Sequence, residues 1–388
     1  MKFEKNYLRY VDKRTFDEIY FLEELLEMNS VKDEVTDNKK DKKKEKNKRK
    51  KIAIVYDVDG WAFSNIAREI KTNLSKYYDI DTIPASVFDD NPVKLIFLAE
   101  KYDLMHCLWR GQLACLDYEY ARGYIHNMGY TFEEFEKKHL SKVNITTSVY
   151  DHKFLDEENF DTTKSFVHYA KNYTTSSSIL KDIYDNLDIE KKPQTVISDG
   201  VDLNKFKPNN LERLEEKNLA KRKIKIGWVG NSEFTDSEGD SDLKGVRKII
   251  LPALNELIDE GYPIEIKFAD RKDGFIPHDK MPDYYNSIDL YVCASKNEGT
   301  PNPVLESMAS GVPIVSTDVG IVRDAFGPKQ KKFILKNRDK DSMKEALKEI
   351  IDNKKLFSEL SKENLKQIKT WSWEDKCNQF KKFFDKNI

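Results

Sequence analysis

The spacing of apolar and polar residues divides the chain into a short N-terminal part and two longer α/β series. Apolar side chains recur at roughly helical spacing over 4–28, which predicts an amphipathic helix within an N-terminal segment 1–30. Few apolar residues occur in 31–50, and this stretch ends in KKDKKKEKNKRK. Such a composition indicates a charged linker in contact with water and not a packed element.

From Lys51 onward, short apolar runs alternate with amphipathic stretches. The first series, 51–208, predicts strands that alternate with helices, and this pattern is typical of a parallel sheet covered on both faces. Its strand candidates are 51–58, 103–109, 143–149 and 194–198. We therefore expect a Rossmann-like N-terminal domain.

The pattern repeats in 223–365, which predicts a second Rossmann-like domain. Its strand candidates are 223–230, 264–270, 289–295 and 312–317, with a helix from Leu243 to Leu257. The closing segment 366–388 predicts a C-terminal helix, which can cross back to the first domain. The predicted fold class is α/β, with two doubly wound domains facing a cleft and an N-terminal helical extension. Ligands of such sheets bind outside the carboxyl ends of the strands.

The most informative segment is NEGTPNPVLESMASGVPIVSTD, which follows the strand candidate 289–295. Asn302 is a favoured N-cap, Pro303 suits the first helical position, and Gly311 is a favoured residue just after a helix. Gly299, Thr300, Pro301 and Asn302 therefore lie at a helix N-terminus at the cleft. Such a helix end suits the diphosphate of a nucleotide.

Two carboxylates flank this helix start, eight positions apart. Glu298 precedes the turn and can accept hydrogen bonds from sugar hydroxyls, and Glu306 lies inside the helix and can accept two from a ribose diol. The simpler alternative is that both residues only complement the helix dipole.

The pattern resembles the E-x7-E motif of glycosyltransferase family 4, a large family of retaining enzymes with the GT-B fold. Further segments resemble that family in the same order along the chain, and together they cover about 51–384. These segments are 173–177 (YTTSS), 197–202 (ISDGVD) with Phe206 and Pro208 after it, 227–230 (GWVG), 242–245 (DLKG) and 371–373 (WSW).

The resemblance implies a metal-independent hexosyl- or glycosyltransferase that takes its sugar from a nucleoside-diphosphate sugar and needs no cofactor. Glu298 would position the donor sugar, Glu306 the ribose, and Lys244 the diphosphate. His152 would assist at the donor sugar or the acceptor. The expected acceptor is a glycan, a lipid-linked glycan or another glycoconjugate, most commonly in surface polysaccharide synthesis.

The chain departs from the family at two glycine-containing turns. The family usually has arginine after the glycine that matches Gly230, and Asn231 stands here instead; Arg271, after the next strand, can compensate. The family often has a glycine-rich turn after the first strand, whereas this chain has the single glycine Gly60 there. These departures keep two other functions open: a nucleotide-sugar epimerase of GT-B shape, and a non-catalytic module that binds a nucleotide or a glycan.

Charge and composition exclude several classes of partner and site. The net charge of -2 gives no global field for nucleic acid, and no apolar run reaches the ~18 residues of a membrane span. The four cysteines form no close pair, which favours reduced thiols in a cytoplasmic protein. No residue cluster has metal-ligand spacing. Asp57-Val58-Asp59 ends a buried strand, and the acidic run 236–242 lacks the glutamate at the twelfth position of a calcium loop, where Arg247 stands.

A basic run lies between Lys39 and Lys51, with ten Lys or Arg residues against Asp41 and Glu45. One interpretation is a solvated linker. The other is a peripheral tether to an anionic membrane, because each basic residue near such a surface contributes about 1 kcal/mol of binding.

Overall fold

The computed structural model describes residues 49–153, 155, 164–234 and 242–388. The predicted helix at 4–28, and the linker and basic run as far as residue 48, lie outside the described residues. The last three residues of the basic run, 49–51, contact or belong to the first domain. Arg49 donates to the Ser75 carbonyl, Lys50 pairs with Asp103 at 2.8 Å, and Lys51 begins the first strand.

Within the described residues, a six-stranded parallel sheet organises the first domain, in the order β2-β1-β3-β4-β5-β6. Its strands are β1 Lys51–Tyr56, β2 Asp79–Pro84, β3 Leu104–Cys107, β4 Ile145–Val149, β5 Asn172–Thr175 and β6 Thr195–Val196. Its helices are α1 Ala62–Leu74, α2 Pro92–Ala99, α3 Gly111–Ala114, α4 Glu119–Asn127, α5 Phe132–Lys138, α6 Phe166–Tyr169 and α7 Ser178–Asn186.

The centre of the first sheet is polar. His106 on β3 is fully buried and hydrogen-bonds Thr146 at 2.9 Å and Ser148 at 3.0 Å, while Ser148 reaches Thr174 at 2.8 Å. Burial lowers the pKa of His106 to about 3, so its ring is neutral. His106 is therefore a structural residue that satisfies buried hydroxyl groups.

After the short helix α8, Glu216–Leu219, a four-stranded parallel sheet organises the second domain in the order β10-β9-β7-β8, counted over the described part of the chain. Its strands are β7 Ile224–Gly230, β8 Ile264–Asp270, β9 Leu290–Cys293 and β10 Ile314–Ser316. A π-helical turn, Val246–Ile250, leads into α9 Leu251–Asp259, and the later helices are α10 Met281–Asn286, α11 Asn302–Ala309, α12 Val322–Ala325, α13 Lys340–Asp352, α14 Lys355–Gln367 and α15 Trp373–Asn387.

The last helix of the chain packs on the first domain. Cys377, Phe380 and Phe384 of α15 are fully buried in one cluster with Ile66 and Ile70 of α1. A fully buried phenylalanine contributes roughly 1.5–3 kcal/mol, so this contact holds the chain end firmly. The crossing point is tight, because a Cβ atom on Gly200 would lie 2.7 Å from the Trp373 backbone.

The predicted elements differ from the structure mainly at their ends and at polar strands. Strand β8 has the predicted bounds, whereas the other predicted strands are shorter at one or both ends. The helix predicted from Leu243 begins only at Val246, because the preceding residues form a turn closed by Gly245. Strands β2 and β5 were missed, since DIDTIP and NYTT lack apolar runs and become strands by pairing with β1 and β4.

None of the helices described is both long and apolar enough to span a lipid bilayer.

Candidate functional site

The site is centred on an ion pair between two residues 54 positions apart. The Lys244 ammonium donates to Glu298 Oε1 at 2.6 Å. The Lys244 side chain is 29% exposed and that of Glu298 is 19% exposed, so a ligand in the cleft can reach both. Lys244 is only partly exposed, because its side chain contacts the loop that carries Glu298.

A glycine turn places Lys244 beside this loop. The Gly245 amide donates to the Asp242 carbonyl at 2.9 Å, and Gly245 has a φ of 69°. A Cβ atom at this position would lie 2.5 Å from the carbonyl oxygen of Ala294, directly after β9. Only glycine combines this left-handed backbone with so close an approach. The turn therefore fixes Lys244 against the carboxyl end of β9.

The helix after Glu298 begins one residue earlier than predicted. Asn302 is its first residue and Pro301 its cap, with no side-chain hydrogen bond at the cap. The prediction of Asn302 as N-cap is therefore wrong. Pro301 at the cap and Pro303 in the first turn both lack an N–H group, so the helix end offers two donors fewer than a typical anion site. The predicted end is correct, because Gly311 follows α11 with a φ of 72°.

Glu306 is held by two donors. The buried Tyr285 hydroxyl donates to Oε2 at 2.6 Å, and His278 Nε2 lies 3.1 Å from Oε1. The Lys205 ammonium donates to His278 Nδ1 at 2.8 Å, so the ring proton sits on Nε2 and is donated to Glu306. Burial and the nearby Glu306 charge raise the pKa of Tyr285, which keeps it a donor. The carboxylate is 13% exposed and orientated before any ligand arrives.

The first domain contacts the Glu298 loop directly. A Cβ atom on Gly299 would lie 2.4 Å from the carbonyl oxygen of Tyr150, the residue directly after β4. Burial lowers the pKa of His152, and the neighbouring Asn297 side chain acts in the opposite direction. The structure thus brings His152 to the residue that precedes Glu298.

Thr300 and Pro301 complete the contact between the domains. The Asp199 amide lies 3.4 Å from Thr300 Oγ1, and Pro301 is buried. A Cβ atom on Gly320 would meet the Gly299 carbonyl at 2.2 Å, so the loop is packed on both sides by backbone. Burial raises the pKa of the Asp199 carboxyl to about 7 at this crossing.

Asn231 and Arg271 lie at neighbouring strand ends. Gly230 pairs with Asp270 in the sheet, and the Arg271 amide donates to the Gly230 carbonyl at 2.8 Å. The Asn231 side chain turns back and accepts from the Glu233 amide at 3.1 Å. The Arg271 guanidinium is exposed and lies 5.6 Å from the Phe275 ring. The backbones of Asn231 and Arg271 are therefore neighbours, while the Arg271 guanidinium lies near Phe275.

The surroundings of Gly60 differ from those of Gly299, the other glycine predicted to bind the donor. It follows β1 with a φ of 80°, and a Cβ atom there would meet none of the described atoms within 4 Å beyond its chain neighbours. Its left-handed backbone requires glycine, but open space surrounds it. Gly60 therefore follows the carboxyl end of β1 without being packed against the Glu298 loop.

Some neighbours of the site were missed by sequence reasoning. Arg110, almost fully buried, pairs with Asp151 at 2.8 Å and thereby anchors the loop that carries His152. Tyr285 and His278 orient Glu306 from a helix and a loop more than 20 positions away. Arg110 directly follows the strand candidate 103–109, and this position could have identified it from the sequence. No local pattern identifies Tyr285. Among the described residues no group of three His, Cys, Asp or Glu side chains is arranged to hold a metal ion.

Comparison with known proteins connects this geometry to a family. Residues 273–367, which contain Glu298 and Glu306, match the model described as glycosyl transferases group 1. This segment is therefore similar to the group 1 glycosyltransferases. The match includes β9, α11 and β10 of the second domain.

Two curated relatives match parts of the chain. TuaC of Bacillus subtilis, described as a candidate teichuronic acid biosynthesis glycosyltransferase, is 27% identical over 165 residues, which is 39% of this chain and 40% of TuaC. The lipopolysaccharide core biosynthesis mannosyltransferase LpsB of Rhizobium meliloti is 34% identical over 79 residues, 20% of this chain and 22% of LpsB. The chain thus spans less than half the length of these relatives.

A solved structure matches the fold over most of the chain. Alr3699/HepE of Anabaena, in complex with UDP and glucose, superposes with a TM-score of 0.60 and 13% identity. The match covers 87% of this chain and all of that protein. The two parallel sheets with their helices therefore form a GT-B fold, and the prediction of two Rossmann-like α/β domains is confirmed for the described residues.

Proposed function

We propose that this protein is a retaining glycosyltransferase that moves a sugar from a nucleoside-diphosphate sugar to a glycan, lipid-linked or other glycoconjugate acceptor. The observation that carries the proposal is the Lys244–Glu298 pair at the start of α11, with Glu306 already orientated inside that helix. A cation and two carboxylates around one helix start match the three parts of the donor: diphosphate, sugar and ribose.

The ion pair gives the order of events on binding. Without donor, Lys244 neutralises Glu298. The donor's diphosphate competes for the ammonium through charge-assisted hydrogen bonds. Glu298 is then released from its partner and accepts hydrogen bonds from the sugar hydroxyls. Donor binding thus exchanges one charged contact for another, without leaving a carboxylate uncompensated in the cleft.

The transfer step follows from the charge that develops at the diphosphate. The bond between the anomeric carbon and the diphosphate oxygen breaks while the acceptor hydroxyl oxygen bonds to that carbon on the same face. The departing phosphate oxygen takes the acceptor proton. Lys244 stabilises the growing negative charge on the leaving group, and such preorganised charges are often the largest contribution to catalysis. His152, on the first-domain side, would hold the sugar or the acceptor hydroxyl.

Relatives support this substrate class. The neighbour HepE was solved with UDP and glucose, TuaC is named for teichuronic acid biosynthesis, and LpsB is named for lipopolysaccharide core biosynthesis. We extend this to the present chain and propose a role in surface polysaccharide or glycolipid assembly.

The direct test is donor turnover with and without acceptor. The protein is incubated with UDP-, GDP- and ADP-sugars, with or without a bacterial glycolipid and oligosaccharide extract, and products are followed by NMR at the anomeric carbon. We expect acceptor-dependent release of nucleoside diphosphate and retention of configuration. Epimerised donor without acceptor would instead support the epimerase, and binding without turnover would support a non-catalytic module.

Activity is expected to survive chelation of divalent metal ions. Charge neutralisation is assigned to Lys244 and the α11 N-terminus, neither of which needs an ion. The measurement compares initial rates after dialysis against EDTA with rates after magnesium or manganese is restored. Complete loss in EDTA with recovery on manganese would overturn the assignment.

Restoring arginine at Asn231 is expected to tighten nucleoside diphosphate binding by roughly three- to tenfold, because a second cation would face the phosphates. The change also frees the Glu233 amide, which is exposed and can bind water. Calorimetric titration with UDP and GDP measures the gain. Lys272→Arg, one residue beyond Arg271, is the control that keeps the total charge constant. Unchanged affinity of Asn231→Arg would show that the position does not face the phosphates.

A further inference from the structure

Arg338 ties together the two loops that carry the charged residues of the site. It lies directly before Asp339, whose side chain caps α13 by accepting from the Ser342 amide at 2.7 Å. Its guanidinium donates through Nε to the Ala294 carbonyl at 2.9 Å. Its Nη2 donates to the carbonyls of Asp242 at 2.8 Å and Leu243 at 3.2 Å.

The three carbonyl groups belong to the two segments that meet at the ion pair. Asp242 and Leu243 directly precede Lys244, and Ala294 follows β9 four positions before Glu298. A backbone bond from the Lys296 amide to the Leu243 carbonyl, at 2.9 Å, joins the same two segments. Arg338 therefore closes the junction from the opposite side, with one planar group reaching both loops.

We infer that Arg338 is a positioning residue that holds the Lys244 ammonium at the place where the donor's diphosphate binds. The inference rests on the proposed function, since it concerns the same donor site. A guanidinium is suited to this task because its donors are fixed in one plane and always protonated. Lysine offers one rotatable ammonium, which can reach one segment but not hold both.

The turn that carries Lys244 needs such support. Lys244 is followed by Gly245 in the left-handed region. The Gly245 amide donates to the Asp242 carbonyl, and the Asp242 carboxylate accepts from the Arg247 and Lys248 amides, so these bonds tie the turn to its own following helix. Without Arg338, the carbonyls of Asp242 and Leu243 would lose their shared donor, and the turn would depend on the bond from the Lys296 amide to Leu243 to stay beside Ala294. Arg338 thus acts through Lys244 and not through its own charge on the ligand.

A double-mutant cycle separates positioning from direct binding. Affinities for UDP, GDP, ADP and CDP are measured by calorimetry for the wild type, Arg338→Ala, Lys244→Ala and the double variant. We expect Arg338→Ala to weaken the preferred diphosphate by about tenfold in the wild type, but by less than about twofold when Lys244 is already alanine. Additive losses would show direct contact or a general effect on the fold, and would overturn the inference.

Arg213 is the matched control. It also clamps backbone carbonyls, donating to Asn210 at 2.8 Å and to Ile288 at 3.0 Å, but at a different edge of the second domain. Arg213→Ala should lower the melting temperature at least as much as Arg338→Ala while leaving diphosphate affinity unchanged. An equal loss of affinity in both variants would make Arg338 merely structural.

Arg338→Lys keeps the test decisive if the alanine variant does not fold. It should retain part of the diphosphate affinity, and the affinity that it loses in the wild-type background should not be lost again in the Lys244→Ala background.

If the wild type binds none of the four diphosphates, the proposed function fails and this inference with it. If the wild type binds and Arg338→Ala binds equally well, this inference alone is overturned.

Discussion

Replacing Glu298 by alanine is expected to lower turnover about ten- to a hundredfold while nucleotide affinity changes little. A hydrogen bond to a charged group is worth roughly 1.5–3 kcal/mol, and we assign this group to the donor sugar and not to the nucleotide. Initial rates at saturating donor, together with titrations of UDP and GDP, measure the two effects separately. The change also releases the Lys244 ammonium from its present partner.

Glu306→Ala is the matched counterpart, because it removes the other carboxylate of the same helix start. It should weaken nucleotide binding about ten- to a hundredfold, with less effect on turnover at saturation. Glu298→Gln, which preserves shape and one acceptor oxygen, should retain more turnover than Glu298→Ala. If both alanine variants keep wild-type affinity and turnover, the donor site lies elsewhere.

Lys244→Ala is expected to reduce activity by about a hundredfold while unfolding changes little. The variant removes the cation assigned to the leaving diphosphate, a contribution of the size measured for single preorganised donors. Its pair with Glu298 is partly exposed, and exposed pairs stabilise a fold by only about 0–1 kcal/mol. Steady-state rates and thermal melting of the same preparations give the comparison.

Lys181→Ala provides the control for Lys244. Lys181 is an ion-paired lysine of similar exposure, joined to Asp185 within α7 of the first domain. Its removal should change neither rate nor melting temperature appreciably. Loss of fold together with activity in Lys244→Ala, but not in Lys181→Ala, would assign Lys244 a structural role.

The second domain was predicted better than the first. Apolar runs such as IEIKFAD are read directly from the chain, and β8 has the predicted ends. In the first domain, β2 and β5 contain aspartate, asparagine and threonine and form strands only because a neighbouring strand supplies hydrogen bonds. The neighbouring strand cannot be identified from the local pattern, because paired residues such as Lys51 and Asp79 lie 28 positions apart.

The candidate site was predicted in part. Glu298, Glu306 and the helix between them follow from local spacing, because helix caps and turns are short-range features. The one-residue error at Asn302 arises because Pro301 takes the cap position, where local preference favours asparagine. The contact between His152 and Asn297 depends on the packing of one domain against the other, which no local pattern encodes.

The sequence by itself determined the α/β class, the doubling of the domain and the carboxylate spacing around α11. These properties depend on side-chain periodicity and on local backbone preferences, which act over a few residues. The tertiary structure alone decided that Lys244 faces Glu298, that Tyr285 and His278 orient Glu306, and that α15 returns to the first domain. Such contacts join residues that are distant along the chain, and close packing and buried hydrogen bonds select them only once both sheets have formed.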